Sequence, residues 1–101
     1  MRIVWTIQAQ EDLEALYQYW QLVNADYATR LYNRLIDEAE VLLTFPKVGA
    51  QERLLAHCLG DYRSLVAGKY HKLVYTIEGE DIVVHAVWDC RQAPDTLIKK
   101  I

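Results

Sequence analysis

The sequence predicts an α+β domain in which a two-helix hairpin packs on a small antiparallel sheet. The order is β-α-α-β-β-β, followed by a short C-terminal helix or tail. Three observations carry this. Apolar residues recur at helical spacing from Gln8 to about Leu22 and again from Asn24 to Phe45. Tyr62 to Asp89 is rich in β-branched and aromatic residues. Two turn segments, Ala67-Gly68-Lys69 and Glu78-Gly79-Glu80-Asp81, divide that stretch into three strands joined as hairpins. At 101 residues the chain is one domain, residues 1–101, built on one core.

Arg2 to Ile7 reads as a short strand, with Ile3, Trp5 and Ile7 on one face. Leu13, Leu16, Tyr17 and Trp20 then fall at i, i+3, i+4, i+7, the stripe of an amphipathic helix. Glu11, Asp12 and Glu14 are expected in its early turns, where the helix dipole favours acids. Asn24 and Asp26 supply N-cap chemistry for the second helix, so the link is short and the helices antiparallel. Ala28, Leu31, Leu35, Ala39 and Leu42 form its core stripe, widened by Tyr32, Ile36 and Leu43. Phe45-Pro46 ends it, because proline disfavours helix in the preceding residue.

Lys47 to Gly60 is the least regular part, and Arg53-Leu54-Leu55-Ala56 reads equally as a helical turn or an edge strand. On the middle strand of the meander, Leu73, Tyr75 and Ile77 share a side with His71, and this more apolar side is assigned to the helices. The last strand is apolar at both parities, which predicts a central strand buried on both faces. Pro94 to Ile101 fits a short helix with Pro94 at its first position and Lys99 and Lys100 in its last turn, or else a tail.

Composition narrows the function classes. The chain carries a net charge of −3, with 11 Lys+Arg against 14 Asp+Glu. The excess acid lies in residues 1–50, and the strand half is neutral. A general nucleic-acid binder shows a strongly positive domain, so any polyanion contact here must be local. No apolar run approaches the ~20 residues a membrane span requires. The start, MRIVWTI, lacks the pattern of a signal peptide, and the expected location is the cytoplasm. Cys58 and Cys90 form no CxxC pair, and His57, His71 and His85 have no ligand spacing; no metal or cofactor is expected. Tyrosine is over-used, at 7 with 3 Trp against a single Phe, which suits a half-buried surface that meets a partner.

Several strings in this order resemble the RelE/ParE superfamily of toxins from bacterial type II toxin–antitoxin modules. They are Asp12-Leu13 with Tyr17 and Tyr19-Trp20, Leu42-Leu43-Thr44-Phe45-Pro46 with Gly49, and Tyr62-Arg63 with Tyr70 and Tyr75. The last is Ile82-Val83-Val84 followed by Ala86-Val87-Trp88-Asp89-Cys90-Arg91-Gln92 and Pro94. The resemblance covers nearly the whole chain. It implies a growth-inhibitory toxin silenced by a cognate antitoxin that wraps it, in a toxin–antitoxin hetero-oligomer of the kind that stabilises plasmids.

Two branches are implied. RelE-like members cut messenger RNA on the ribosome, which takes cations for phosphate and proton-transfer groups for the 2′-hydroxyl. On that branch Arg63, Arg91 and His71 are the catalytic candidates, and Arg63, Lys69, Lys72 and Arg91 the target or phosphate contacts. ParE-like members inhibit DNA gyrase by binding, without being enzymes. The stretch Ala93 to Ile101 lacks the tyrosine or His-Tyr pair that the cutting members carry, and the charge is not basic. Both departures favour the ParE-like branch. Tyr17 and Trp20 are the antitoxin-binding candidates, since an exposed part of that stripe is a groove for a partner helix. The plainer readings are a cross-strand pairing of Arg63 with an acid such as Asp89 or Glu80, a packed His71, and core roles for Tyr17 and Trp20. A non-toxic partner-binding module on the same fold is the remaining alternative.

Overall fold

The chain begins in a strand, β1 (Arg2–Trp5), that leads directly into helix α1 (Ile7–Val23). In this computed structural model, which describes residues 1–101, Thr6 is the joint: its hydroxyl accepts from Ala9 N–H at 3.1 Å and caps the helix. The strand therefore ends at Trp5. Ile7 is the first residue of the helix and exposed, rather than a third residue on the face of Ile3 and Trp5. Glu11, Asp12 and Glu14 sit beyond the helix's first turn. Asn24 alone links α1 to α2 (Ala25–Thr44). Its N–H donates to Trp20 O at 2.7 Å and closes the first helix. Its side chain accepts from Tyr27 N–H at 3.1 Å and opens the second.

After α2 come β2 (Ala50–Gln51), a single 3-10 turn (Arg53–Leu55), and the meander β3 (Arg63–Ala67), β4 (His71–Glu78) and β5 (Asp81–Asp89). Helix α3 (Pro94–Lys100) ends the chain. The α+β class and the order β-α-α-β-β-β with a C-terminal helix are those the sequence predicts, with the two-residue strand β2 added at the sheet edge. Gly79, at φ 63°, makes the turn between β4 and β5 in a conformation that L side chains rarely adopt.

The sheet is mixed rather than wholly antiparallel. Its order is β1-β5-β4-β3-β2, and β1 runs parallel to β5, with Arg2 opposite Asp81 and Trp5 opposite Val84. The reason is the helical excursion. α1 carries on past the end of β1, α2 returns, and the meander then finishes on a strand of the same sense as β1; parallel neighbours need such a crossover.

The register of β4 against β5 shifts between Val74 and Tyr75: Val74 faces Ala86 whereas Tyr75 faces Val84. His85 is thus the extra residue of a bulge, which swaps the parity of β5. Ile82, Val84 and Val87 join Leu73, Tyr75, Leu13, Leu31, Leu35 and Leu42 in the core under the helices. Ala86 and Trp88 face the other way. With Val74, Leu55 and Leu97 they form a second, smaller core, covered by the 3-10 turn and α3. β5 is buried on both faces, as its composition predicts.

Candidate functional site

Arg63 opens β3 opposite Tyr75. Its guanidinium donates to Gly49 O at 3.0 Å and to Lys47 O at 3.5 Å, and its Nε lies 3.4 Å from Asp61 Oδ2. Tyr75, fully buried, works on the same loop: its hydroxyl donates to Pro46 O at 2.7 Å and accepts from Gly49 N–H at 3.1 Å. A Cβ on Gly49 would lie 2.7 Å from the Tyr75 hydroxyl and 2.8 Å from Ser64 O, so only glycine fits there. Arg63 and Tyr75 together clamp the loop after α2. The acid beside Arg63 is Asp61, its near neighbour in the chain, rather than Asp89 or Glu80.

Lys72 is equally engaged. Its ammonium donates to Glu52 Oε2 at 2.7 Å, the same oxygen that takes the Ser64 hydroxyl. Both charged side chains are largely buried, 15% and 7% exposed. Burial alone pushes the Glu52 carboxyl up, but Lys72 and Ser64 hold it below the ordinary carboxylate value. Lys69 stands exposed in the turn before β4, its ammonium 5.2 Å from the centroid of Tyr70.

His71 and Arg91 do come together, with Asp89 between them. Arg91 grips Asp89 with two side-chain bonds, Nε to Oδ1 at 3.0 Å and Nη2 to Oδ2 at 2.7 Å, and its guanidinium lies over Tyr70 at 4.3 Å. The grip of Arg91 keeps the Asp89 carboxyl below its usual range. His71 Nε2 is 3.9 Å from Asp89 Oδ2. Burial, reinforced by Arg91 against the pull of Asp89, lowers its pKa, so the imidazole is neutral near pH 7. Arg63 is not part of this cluster. It pairs with β4 four residues along from His71, roughly 13 Å at strand spacing.

His71, Asp89 and Arg91 line a cleft of about 520 Å³ between α1, the end of β5 and α3, with Asp12, Leu16, Tyr19, Trp20 and Lys100 also in its walls. The sequence marks Asp12 as an acid of the early helix and as part of the Asp12-Leu13 string, but not as a group that holds the sheet edge. One carboxylate oxygen accepts from Gln8 Nε2 at 2.7 Å and Lys100 Nζ at 2.8 Å, and the other from Val87 N–H at 3.1 Å. β1 stops pairing at Val84, so beyond that point β5 has an open edge, and Asp12 satisfies part of it. No residue of the chain could have signalled this without knowing where β1 ends.

The other flank of α1 forms a separate groove of about 500 Å³, mostly apolar, lined by Trp5, Leu13, Tyr17, Tyr32 and Ile36 with Gln10 and Glu14. Tyr17 meets Tyr32 edge-on at 5.5 Å. Trp20 lies on the cleft side, wedged edge-on between Tyr19 and Tyr27. The two antitoxin candidates thus line opposite flanks of one helix. A partner touching both must cross α1. No group of three or more His, Cys, Asp or Glu residues is placed to hold a metal ion. No helix is long and apolar enough to cross a membrane.

The family model described as the ParE toxin of the type II toxin–antitoxin system parDE matches residues 3–94. No curated protein matches significantly. Among solved structures the chain is similar to the chromosomal ParDE TA system from P. aeruginosa, with a TM-score of 0.73 at 19% identity. The match covers 88% of this chain and 95% of that one, a likeness that shows the fold.

Proposed function

The chain belongs to the ParE toxin family of type II toxin–antitoxin systems, and from that membership we propose that it inhibits growth by binding an essential protein target of the DNA gyrase kind. In this reading it works in the cytoplasm, performs no chemistry of its own, and is neutralised by a cognate antitoxin held in a toxin–antitoxin complex. The observation that carries the choice of branch is the commitment of its sheet cations. Arg63 is spent on the carbonyls of the 47–49 loop and Lys72 on Glu52. A ribonuclease would need Arg63 beside His71 and Arg91 around one phosphate, and the sheet holds it apart from them. For the antitoxin, the groove at Tyr17 offers adjoining apolar side chains of two helices, the surface an amphipathic segment seeks.

The test is induced expression in a bacterial host, with primer extension on abundant mRNAs and microscopy of the nucleoid, followed by gyrase supercoiling with purified protein. Filamentous cells, intact mRNA and poisoned supercoiling are expected. Codon-phased cuts within minutes would replace this reading with ribosome-dependent cleavage. Healthy growth with tight binding of the partner gene's product would leave a non-toxic module. Tyr17→Ala should weaken antitoxin binding while leaving growth arrest in place.

A further inference from the structure

We propose that the cleft between α1, the end of β5 and α3 binds the phosphate ester of a flat ring system, a ligand of the nucleotide class. The inference stands on the cleft itself and does not rest on the toxin reading. At about 520 Å³ the cleft is of the size that takes a small ligand.

Its charges are layered. The carboxylates of Asp12 and Asp89 lie behind, with side chains 6% and 21% exposed, while Lys100 and Arg91 stand in front at 27% and 50%. Asp12 accepts three hydrogen bonds from within the protein, as does Asp89, including Arg91 N–H at 2.9 Å. The acids are thereby occupied as acceptors. The cations are not exhausted as donors. Arg91 keeps both N–H groups of Nη1, and Lys100 keeps two of its three. The two bonds to Asp89 fix the plane of the Arg91 fork, with the Tyr70 ring 4.3 Å away, and that fork geometry suits a phosphate.

Two backbone and side-chain groups add to this. Cys90 N–H donates to Tyr70 O, so Asp89 N–H, the preceding one on the strand, faces the opposite edge, on which the cleft opens. The His71 side chain is 4% exposed, lines the cleft and makes no hydrogen bond within the protein. A neutral imidazole there offers one donor and one acceptor. For the flat part of the ligand, Tyr19 is 62% exposed and stands edge-on to Trp20 at 5.3 Å, leaving a ring face on which a base can stack.

The experiment is a titration of the full chain, followed by calorimetry and by the NMR signals of the His71 ring. The probes are adenosine monophosphate, inorganic phosphate, adenosine and a short single-stranded oligonucleotide. Saturable binding of the monophosphate with a shift at His71 is expected, phosphate and adenosine each binding more weakly. Arg91→Gln should weaken it about tenfold or more, the scale of charge-assisted hydrogen bonds. Tyr19→Ala should weaken it roughly tenfold, and since that ring is exposed and outside the core the variant should still fold, which its urea unfolding checks. Arg34→Ala, on an exposed face of α2, should change nothing. A much tighter oligonucleotide identifies the source as a strand; equal affinity identifies a free nucleotide. No saturable binding of any probe up to the millimolar range, or binding untouched by both Arg91→Gln and Tyr19→Ala, would overturn the proposal. Phosphate binding as tightly as the nucleotide would overturn its flat-ring half.

Discussion

Replacing Tyr75 by phenylalanine removes one oxygen atom from the core and tests whether the loop clamp is a structural device. The ring stays, so no cavity opens beyond the volume of the hydroxyl. What is lost is the donor to Pro46 O at 2.7 Å and the acceptor for Gly49 N–H at 3.1 Å. Gly49 is buried and Pro46 half-buried, so water replaces these partners poorly. A buried backbone group left without a partner costs about 1–3 kcal/mol. Two of them, one reachable by solvent, give about 2–4 kcal/mol. In a domain of this size that is a fall in Tm of roughly 10–20 °C. Urea unfolding of the two proteins measures the difference, and hydrogen exchange at the Gly49 amide locates it. Arg63→Ala should act on the same loop, so the double variant should cost about 0.5 kcal/mol or more less than the sum. A Tyr75→Phe cost below about 0.5 kcal/mol, or strict additivity with Arg63→Ala, would mean that the two residues do not share a task.

Asp12→Ala should destabilise by about 2–4 kcal/mol in urea unfolding, because it strips a buried backbone N–H and an ammonium of their common acceptor. Lys100→Ala should cost about 1 kcal/mol or less, since Lys100 is the more exposed partner. Stability should also fall with pH in two steps. His71 and His85 are both held below the ordinary histidine value by burial, so the unfolded chain takes up their protons first. Their contribution is complete above about pH 6.5 and is lost as pH falls through the lowered folded values; His71→Gln should flatten that limb of a urea-midpoint profile. Glu52 and Asp89 are lowered as carboxylates, so theirs is complete above about pH 4 and is lost below it. Glu52→Gln should remove part of that second limb, and an unchanged profile would show that Lys72 does not hold the Glu52 charge.

Local chemistry made the helices and the meander legible. The stripe Leu13, Leu16, Tyr17, Trp20, the N-cap at Asn24 and the turn at Gly79 are each settled within a few residues of chain. What the sequence did not disclose depends on residues far apart. β1 pairs parallel to β5 because of the path of two whole helices, and Leu55 and Leu97 form the second core from segments with almost no periodicity. β5 shows the limit most clearly. Apolar residues at both parities predict burial on both faces, which is so, but the bulge at His85 also exchanges which parity faces which core. Without the bulge Val87 would lie on the opposite face from Val84. It would neither join the core under the helices nor sit where the Asp12 carboxylate meets its N–H. The cleft at Asp89 and Arg91 is therefore a consequence of one extra residue in a strand. Arg63 and Arg91 look alike in the sequence, an arginine at either end of a sheet. They differ because one sits under a loop whose carbonyls need donors, and the other at an open edge with an acid already in its grip. A residue type names a capacity, and the neighbours that the register supplies decide whether it is used inside the fold or left for a partner.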